Sequence, residues 1–200
     1  MRVIIAEDQG MLRGAMGRLL SMEDDIEVIG EAENGEQALV LIRSCSPDIA
    51  LLDIEMPVLN GLDVAKTLQN EDHPCRVAIV TTFARSGYLQ RAIQAGVRGY
   101  LLKDAPVTKL ADNLRSILKG NKVFSPQLSH TMFEEVNPLT IREQEVLRHL
   151  EKGDSVSDIS GTLFLSPPTI RNYISEIIQK VEAKNRIDAV MIAKRKGWID

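Results

Sequence analysis

Over its first 120 residues the chain alternates short β-branched apolar runs with stretches of 3.6-residue periodicity, a pattern that few folds accept. The runs Arg2–Ala6, Ile26–Gly30, Asp48–Asp53, Val77–Thr81 and Arg98–Leu102 are too short for helices and carry the Val and Ile typical of strands. Between them, Met11–Leu20, Glu36–Ile42, Leu62–Leu68, Gln90–Ala95 and Val107–Leu118 each gather apolar side chains on one helical face. Strands and helices in strict alternation imply a parallel sheet covered on both sides. The expected fold class is therefore α/β, a five-stranded doubly wound sheet in the order 2-1-3-4-5.

The alternation stops at Gly120-Asn121-Lys122, and residues 119–137 read as a partly helical linker. From Pro138 onward no strand pattern returns. Thr140 and Glu143 form a capping box that opens a helix to about Glu151, and Lys152-Gly153 stops it. A short helix over Val156–Phe164 follows. Ser166-Pro167 then supplies an N-cap and a first-turn proline for a helix to about Val181. A last helix covers Arg186–Lys196. The tight Leu165-Ser166 connection makes the middle pair a helix-turn-helix arrangement. The expected domains are 1–118, a linker over 119–137, and an all-α unit over 138–200.

Charge divides along the same line. Residues 1–120 hold 13 Lys+Arg against 17 Asp+Glu, and residues 121–200 hold 11 of each. Within 170–196 seven bases face three acids, an asymmetry that suits either two modules with different partners or ordinary surface charge. Hydrophobic content of 44% excludes a disordered chain, and no apolar run approaches the ~18–20 residues of a membrane span. Acids at positions 7 and 8 do not suit a signal peptide. Cys45, Cys75 and the three histidines show no metal-ligand spacing, which leaves zinc chemistry and Cys–His catalysis without support. The expected location is the cytoplasm.

In an open α/β sheet the ligand site lies beyond the carboxyl ends of the strands. Glu7 and Asp8 follow strand one and Asp53 ends strand three, so three carboxylates converge there. Crowded like charges call for a cation, and a hard divalent ion such as Mg²⁺ suits oxygen ligands. Thr81 ends strand four with a hydroxyl, and Lys103 follows strand five with an ammonium. Together they form a seat for a phosphoryl group.

Glu7-Asp8, Asp53, Thr81, Tyr100 and Lys103, at these separations, resemble the receiver domain of two-component response regulators over about residues 1–118. That resemblance implies a flavodoxin-like (CheY-like) fold, Asp53 as phosphoacceptor, and Mg²⁺ held by Glu7, Asp8, Asp53 and the backbone carbonyl of Glu55. It implies Thr81 and Tyr100 as a switch pair and Lys103 as the phosphate-pairing lysine. Thr82 is larger than the residue many receivers carry beside the switch position. Lys103-Asp104-Ala105-Pro106 also delays a proline that often follows the lysine directly.

Asn137-Pro138-Leu139-Thr140, Glu143 to Leu147, Ile170-Arg171-Asn172-Tyr173 and Asn185-Arg186 resemble the LuxR-type helix-turn-helix, with Ser160-Gly161, Pro168 and Val181 as departures. The resemblance implies that Thr169, Arg171, Asn172 and Ser175 face the major groove and that Lys180, Lys184 and Arg186 meet phosphates. Ile170, Ile174, Ile177, Ile178 and Val181 recur at core spacing. The two modules together resemble the NarL/FixJ class of response regulators. That class implies a membrane sensor histidine kinase as phosphodonor, a phosphorylated homodimer on promoter DNA beside RNA polymerase, and no enzymatic activity beyond its own phosphoryl transfer and dephosphorylation. Met11, Leu12, Leu110 and Leu114 are the expected dimer residues. Local strings, Thr81 to Arg85 and Gly99 to Asp104 among them, resemble a regulator of membrane-lipid desaturation; envelope stress stays open as the governed process. A small aspartyl-phosphate hydrolase is the enzymatic alternative, but its acid pair would follow strand one, whereas Asp53-Ile54-Glu55 follows strand three.

Overall fold

In a computed structural model of the chain, which describes residues 1–82, 86–104, 106–125 and 137–199, six strands pair in one fully parallel sheet ordered β2-β1-β3-β4-β5-β6. The elements run β1 (Arg2–Ala6), α1 (Gly10–Leu20), β2 (Glu27–Ala32), α2 (Gly35–Cys45), β3 (Ile49–Leu52), α3 (Gly61–Asn70), β4 (Arg76–Thr81), α4 (Ser86–Gln94), β5 (Gly99–Leu102), α5 (Val107–Leu118) and β6 (Val123–Phe124). Val3 and Ile5 of β1, Ile49 and Leu51 of β3, and Ala78 and Val80 of β4 share one core with Met16 and Leu20 of α1 and Leu110, Ala111, Leu114 and Ile117 of α5. By strand alternation Ile4, Ala50, Leu52 and Ile79 face the other side. Burial on both faces explains why these strands are apolar at nearly every position.

The order of the first five strands is the one expected; the sixth is an addition. Val123 and Phe124 pair in parallel with Gly99 and Tyr100, and Ser125 donates its N–H to the Tyr100 carbonyl. Ser125 Oγ also accepts the Leu102 N–H at 3.2 Å. Two residues are too few to show a period, so the sequence pattern could not reveal this strand. It carries the sheet unit past the expected boundary at 118 and gives part of the expected linker to β6. Residues 126–136 of that linker lie outside the described residues.

The second unit holds α6 (Ile141–Glu151), α7 (Val156–Leu163), α8 (Pro167–Lys180) and α9 (Arg186–Lys196). Each helix starts on a side chain that accepts a backbone N–H: Thr140, Ser155, Ser166 and Asn185. Thr140 with Glu143 and Ser155 with Asp158 are complete capping boxes. Ile159, Ile170, Ile177 and Val181 meet Val146, Leu147, Ala189 and Trp198 in the core, with Ile174 and Ile178 packed at its edge. A side chain at Gly161 would meet nothing within 4 Å, so that glycine costs helix propensity without serving the packing.

Candidate functional site

Strand ends set the front site. Glu7, Asp53, Thr81 and Lys103 all follow or close adjacent strands, and hydrogen bonds hold those ends together. Asp53 donates its N–H to the Ala6 carbonyl at 2.9 Å, Glu7 to Ala32 at 3.0 Å and Lys103 to Thr81 at 2.9 Å. The loop after Asp53 turns on Gly61, whose N–H reaches the Ile54 carbonyl at 3.1 Å. A Cβ there would lie 2.0 Å from the Asp53 carbonyl oxygen, so only glycine lets α3 start this close to the acid. The same loop holds Val58 at a φ of 68°, an unfavourable left-handed conformation for a β-branched residue. Gly61 was not among the residues expected at the site, although Asn60-Gly61 carries a cap-and-turn signal.

Lys103 Nζ lies 2.6 Å from Glu7 Oε2 and 3.0 Å from Asp53 Oδ2. Asp53 Oδ1 accepts the Ile54 N–H at 2.8 Å. Glu7, Asp53 and Thr81 are buried, whereas Asp8 and Glu55 are exposed. Burial, reinforced by the Asp53 charge and only partly offset by Lys103, pushes the Glu7 carboxyl above its ordinary range. Burial would lower Lys103, but Glu7 and Asp53 outweigh it and raise the ammonium instead. Carboxylate oxygens of Glu7, Asp8 and Asp53 all lie within 4.8 Å of one another. Lys103 balances one of three negative charges. The residual charge and the all-oxygen donor set fit a hard divalent cation, with water completing its shell.

Tyr100 is wholly buried on β5, and Thr81 is buried at the end of β4, so both expected switch residues lie inside the sheet unit. Thr82 is exposed beside Thr81. Ala105, in the loop that delays the proline, is outside the described residues. Among the expected dimer residues the structure separates two kinds. Leu110 and Leu114 face the core at 7% and 0% exposure, which removes them from any interface. The period of α5 could not show this, because a buried face and a docking face have the same spacing. Leu12 is half-buried against that core, while Met11 is 91% exposed.

In the second unit α8 turns Arg171, Asn172 and Ser175 to solvent on one face. Ser175 Oγ donates to the Arg171 carbonyl at 3.1 Å, and Thr169 Oγ1 is bonded to Ser166 Oγ at 2.8 Å, so both hydroxyls already serve the helix. Lys184, in the turn after α8, and Arg186, the first residue of α9, are exposed. Lys180 differs from expectation. Its ammonium contacts both oxygens of Glu143, at 2.8 and 2.9 Å, and Glu143 is 1% exposed. A lysine already paired with a buried carboxylate is a poor phosphate ligand.

Residues 3–115 match the family described as response regulator receiver domain, and residues 137–193 match the luxR family of bacterial regulatory proteins. The chain is 54% identical over 198 residues to the uncharacterized transcriptional regulatory protein YvfU of Bacillus subtilis, covering 99% of each. It is 47% identical over 196 residues to the transcriptional regulatory protein DesR of the same organism, covering 98% of each. Among solved structures it resembles the response regulator ChrA of a heme-sensing two-component system, with 30% identity, a TM-score of 0.59 and 98% and 97% of the two chains covered. The fold is also that of RcsB in its DNA complex, at 22% identity and a TM-score of 0.68 over 98% of each chain. No described helix is long and apolar enough to cross a membrane.

Proposed function

The chain belongs to the two-component response regulators that join a receiver to a LuxR-type DNA-binding domain, and from that premise we propose that phosphorylation of Asp53 drives its dimerisation and promoter binding. The observation that carries this reading is the bridging of Glu7 and Asp53 by Lys103 at the carboxyl edge of the sheet. A carboxylate oxygen of Asp53 attacks the phosphorus of a phosphohistidine on a sensor kinase. The new O–P bond forms as the P–N bond breaks, and the proton needed by the departing imidazole comes from solvent. Lys103, beside Asp53 Oδ2, faces the oxygens that gain charge. Glu7, Asp8, Asp53 and the Glu55 carbonyl would hold Mg²⁺, which when bound neutralises charge on the transferred group. Thr81 and Tyr100 are the buried hydroxyl side chains placed to register the new phosphate. The domains are 1–125 and 138–200, joined by the intervening segment.

Met11, with Leu12 behind it, is the apolar point on α1 offered to a second copy. In the dimer, Arg171 and Asn172 read base edges, Thr169 and Ser175 flank them, and Lys184 and Arg186 meet phosphates. RNA polymerase is the partner at the promoter. Lipid-desaturation promoters are the first target class to test, and envelope-stress promoters the second.

Treatment with acetyl phosphate and Mg²⁺ should tighten the dimer in sedimentation, and Met11→Asp should abolish the tightening. Treated chain should protect two half-sites roughly one helical turn, ~10 bp, apart or a multiple of it. Arg171→Ala should lose ~1–3 kcal/mol on the protected sequence and relax preference at one base of each half-site. An equal loss on random DNA would reduce Arg171 to a backbone contact. Unchanged sedimentation and footprint after phosphorylation would overturn the switching reading.

A further inference from the structure

The most exposed large apolar side chain among the described residues is Phe164, at 93%. Its backbone is also unfavourable. Phe164 caps α7 with a φ of 54°, in the left-handed region where glycine is the usual occupant. The turn that holds it is rigid. Its N–H and that of Leu165 both reach the Ser160 carbonyl, and the buried Ser160 hydroxyl donates to the Leu165 carbonyl at 2.5 Å. Arg142 of α6 donates to the Leu163 carbonyl at 2.7 Å. The turn thus holds an aromatic residue out in solvent at a position where glycine would relieve strain.

Three residues after Phe164, α8 begins with Pro167 and Pro168, both exposed. A helix N-terminus ordinarily offers its first N–H groups to an anion such as a DNA phosphate. Here the first two positions have none, and the third, Thr169, gives its N–H to Ser166 Oγ. The tip of α8 is therefore apolar and donor-poor, and it continues the face that presents Arg171 and Asn172. In a major groove the apolar feature such a surface can match is the thymine methyl group.

We propose that Phe164, with Pro167 and Pro168, forms an apolar tip that reads thymine methyl groups at one edge of the half-site. This rests on α8 being the recognition helix, and it assigns to the turn a specificity role that the polar residues of α8 do not supply. Burial of the ring on DNA would offset the strain and exposure that Phe164 carries in the free protein.

The test uses the full chain treated with acetyl phosphate and a duplex that it selects from a random pool. Single thymines of the half-site are replaced by deoxyuridine, which removes only the methyl. One replacement should weaken the wild type about four-fold, the worth of one buried methyl. Phe164→Gly should bind the selected duplex about ten-fold more weakly and ignore that replacement. The same variant should melt about 4 °C higher, because glycine relaxes the left-handed cap, so weak binding would not reflect unfolding. Wild-type affinity in Phe164→Gly, retained discrimination of thymine from uracil, or a selected half-site lacking thymine would overturn the proposal. So would a change in sedimentation without a change in DNA affinity, which would place a second copy on the ring. Arg171→Ala separates the two readings. If it loses affinity while Phe164→Gly does not, only the tip is wrong; if neither loses affinity, α8 is not the recognition helix.

Discussion

Asp53→Asn should take up no phosphoryl group from acetyl phosphate and Mg²⁺, so that its intact mass stays unchanged while the wild type gains one phosphoryl. Asparagine is the informative replacement because it keeps the amide oxygen that can accept the Ile54 N–H, made at 2.8 Å by Asp53 Oδ1. Removing the charge also leaves Lys103 paired one-to-one with Glu7, whose carboxyl the Asp53 charge helps to raise. The variant should therefore melt no lower than the wild type, and loss of labelling will mean loss of the acceptor. Lys103→Ala works by a different route. It leaves Glu7 buried without its counter-ion, drives that carboxyl further upward and takes a positive charge from beside Asp53 Oδ2. Labelling should slow by roughly 10²–10³-fold, the usual worth of one preorganised charge stabiliser, and a chelator should slow the wild type as well. Full labelling of Asp53→Asn within residues 1–125 would place the phosphoacceptor elsewhere.

The front site was legible because its chemistry sits at strand ends, and strand ends can be found by periodicity. Glu7, Asp53, Thr81 and Lys103 each follow or close an apolar run, and parallel topology brings the ends of such runs to one edge. What sequence spacing cannot give is direction around a helix. Leu110 and Leu114 carry the same i, i+4 spacing whether they dock a partner or fill the core, and the sheet claims them. Burial by distant segments is equally hidden. Lys180 reads as one more base in a basic stretch, and only the packing of α8 on α6 shows that a carboxylate 37 positions earlier holds it. Asn60-Gly61 signals a cap and turn, but neither the close approach at Gly61 nor β6 is legible in the sequence. The first depends on how near the Asp53 carbonyl lies, the second on a pairing two residues long. Phe164 is a different case: its cap position could be inferred, but its strain and exposure could not.

Glu143→Ala should destabilise the helical unit by about 3 kcal/mol, since one side chain performs two tasks. At the third position of α6 its Oε2 accepts the Thr140 N–H at 2.7 Å and the Thr140 hydroxyl at 2.9 Å, closing the capping box. Both of its oxygens also take Lys180, tying the start of α6 to the end of α8. Burial alone would raise the carboxyl, but Lys180 and Thr140 outweigh it and hold Glu143 below the ordinary carboxylate range. A carboxyl lowered by folding stabilises the fold above its ordinary pKa of 4.5, and that stabilisation disappears as pH falls through the lowered folded value. The unit should therefore lose stability on acidification below about pH 4.5, and Glu143→Gln should flatten that dependence. Glutamine keeps an acceptor for Thr140, so its cost should be about 1–2 kcal/mol, from the ammonium left without a counter-charge. Salt dependence of DNA binding then distinguishes the two lysines. Lys184→Gln should reduce the salt slope by about one phosphate contact per subunit, and Lys180→Gln should leave the slope of the folded protein unchanged. Measured melting curves against pH, with DNA titrations at several salt concentrations, decide both points. A slope that falls for Lys180→Gln would return that residue to the DNA interface and make its bridge to Glu143 a contact of the free protein.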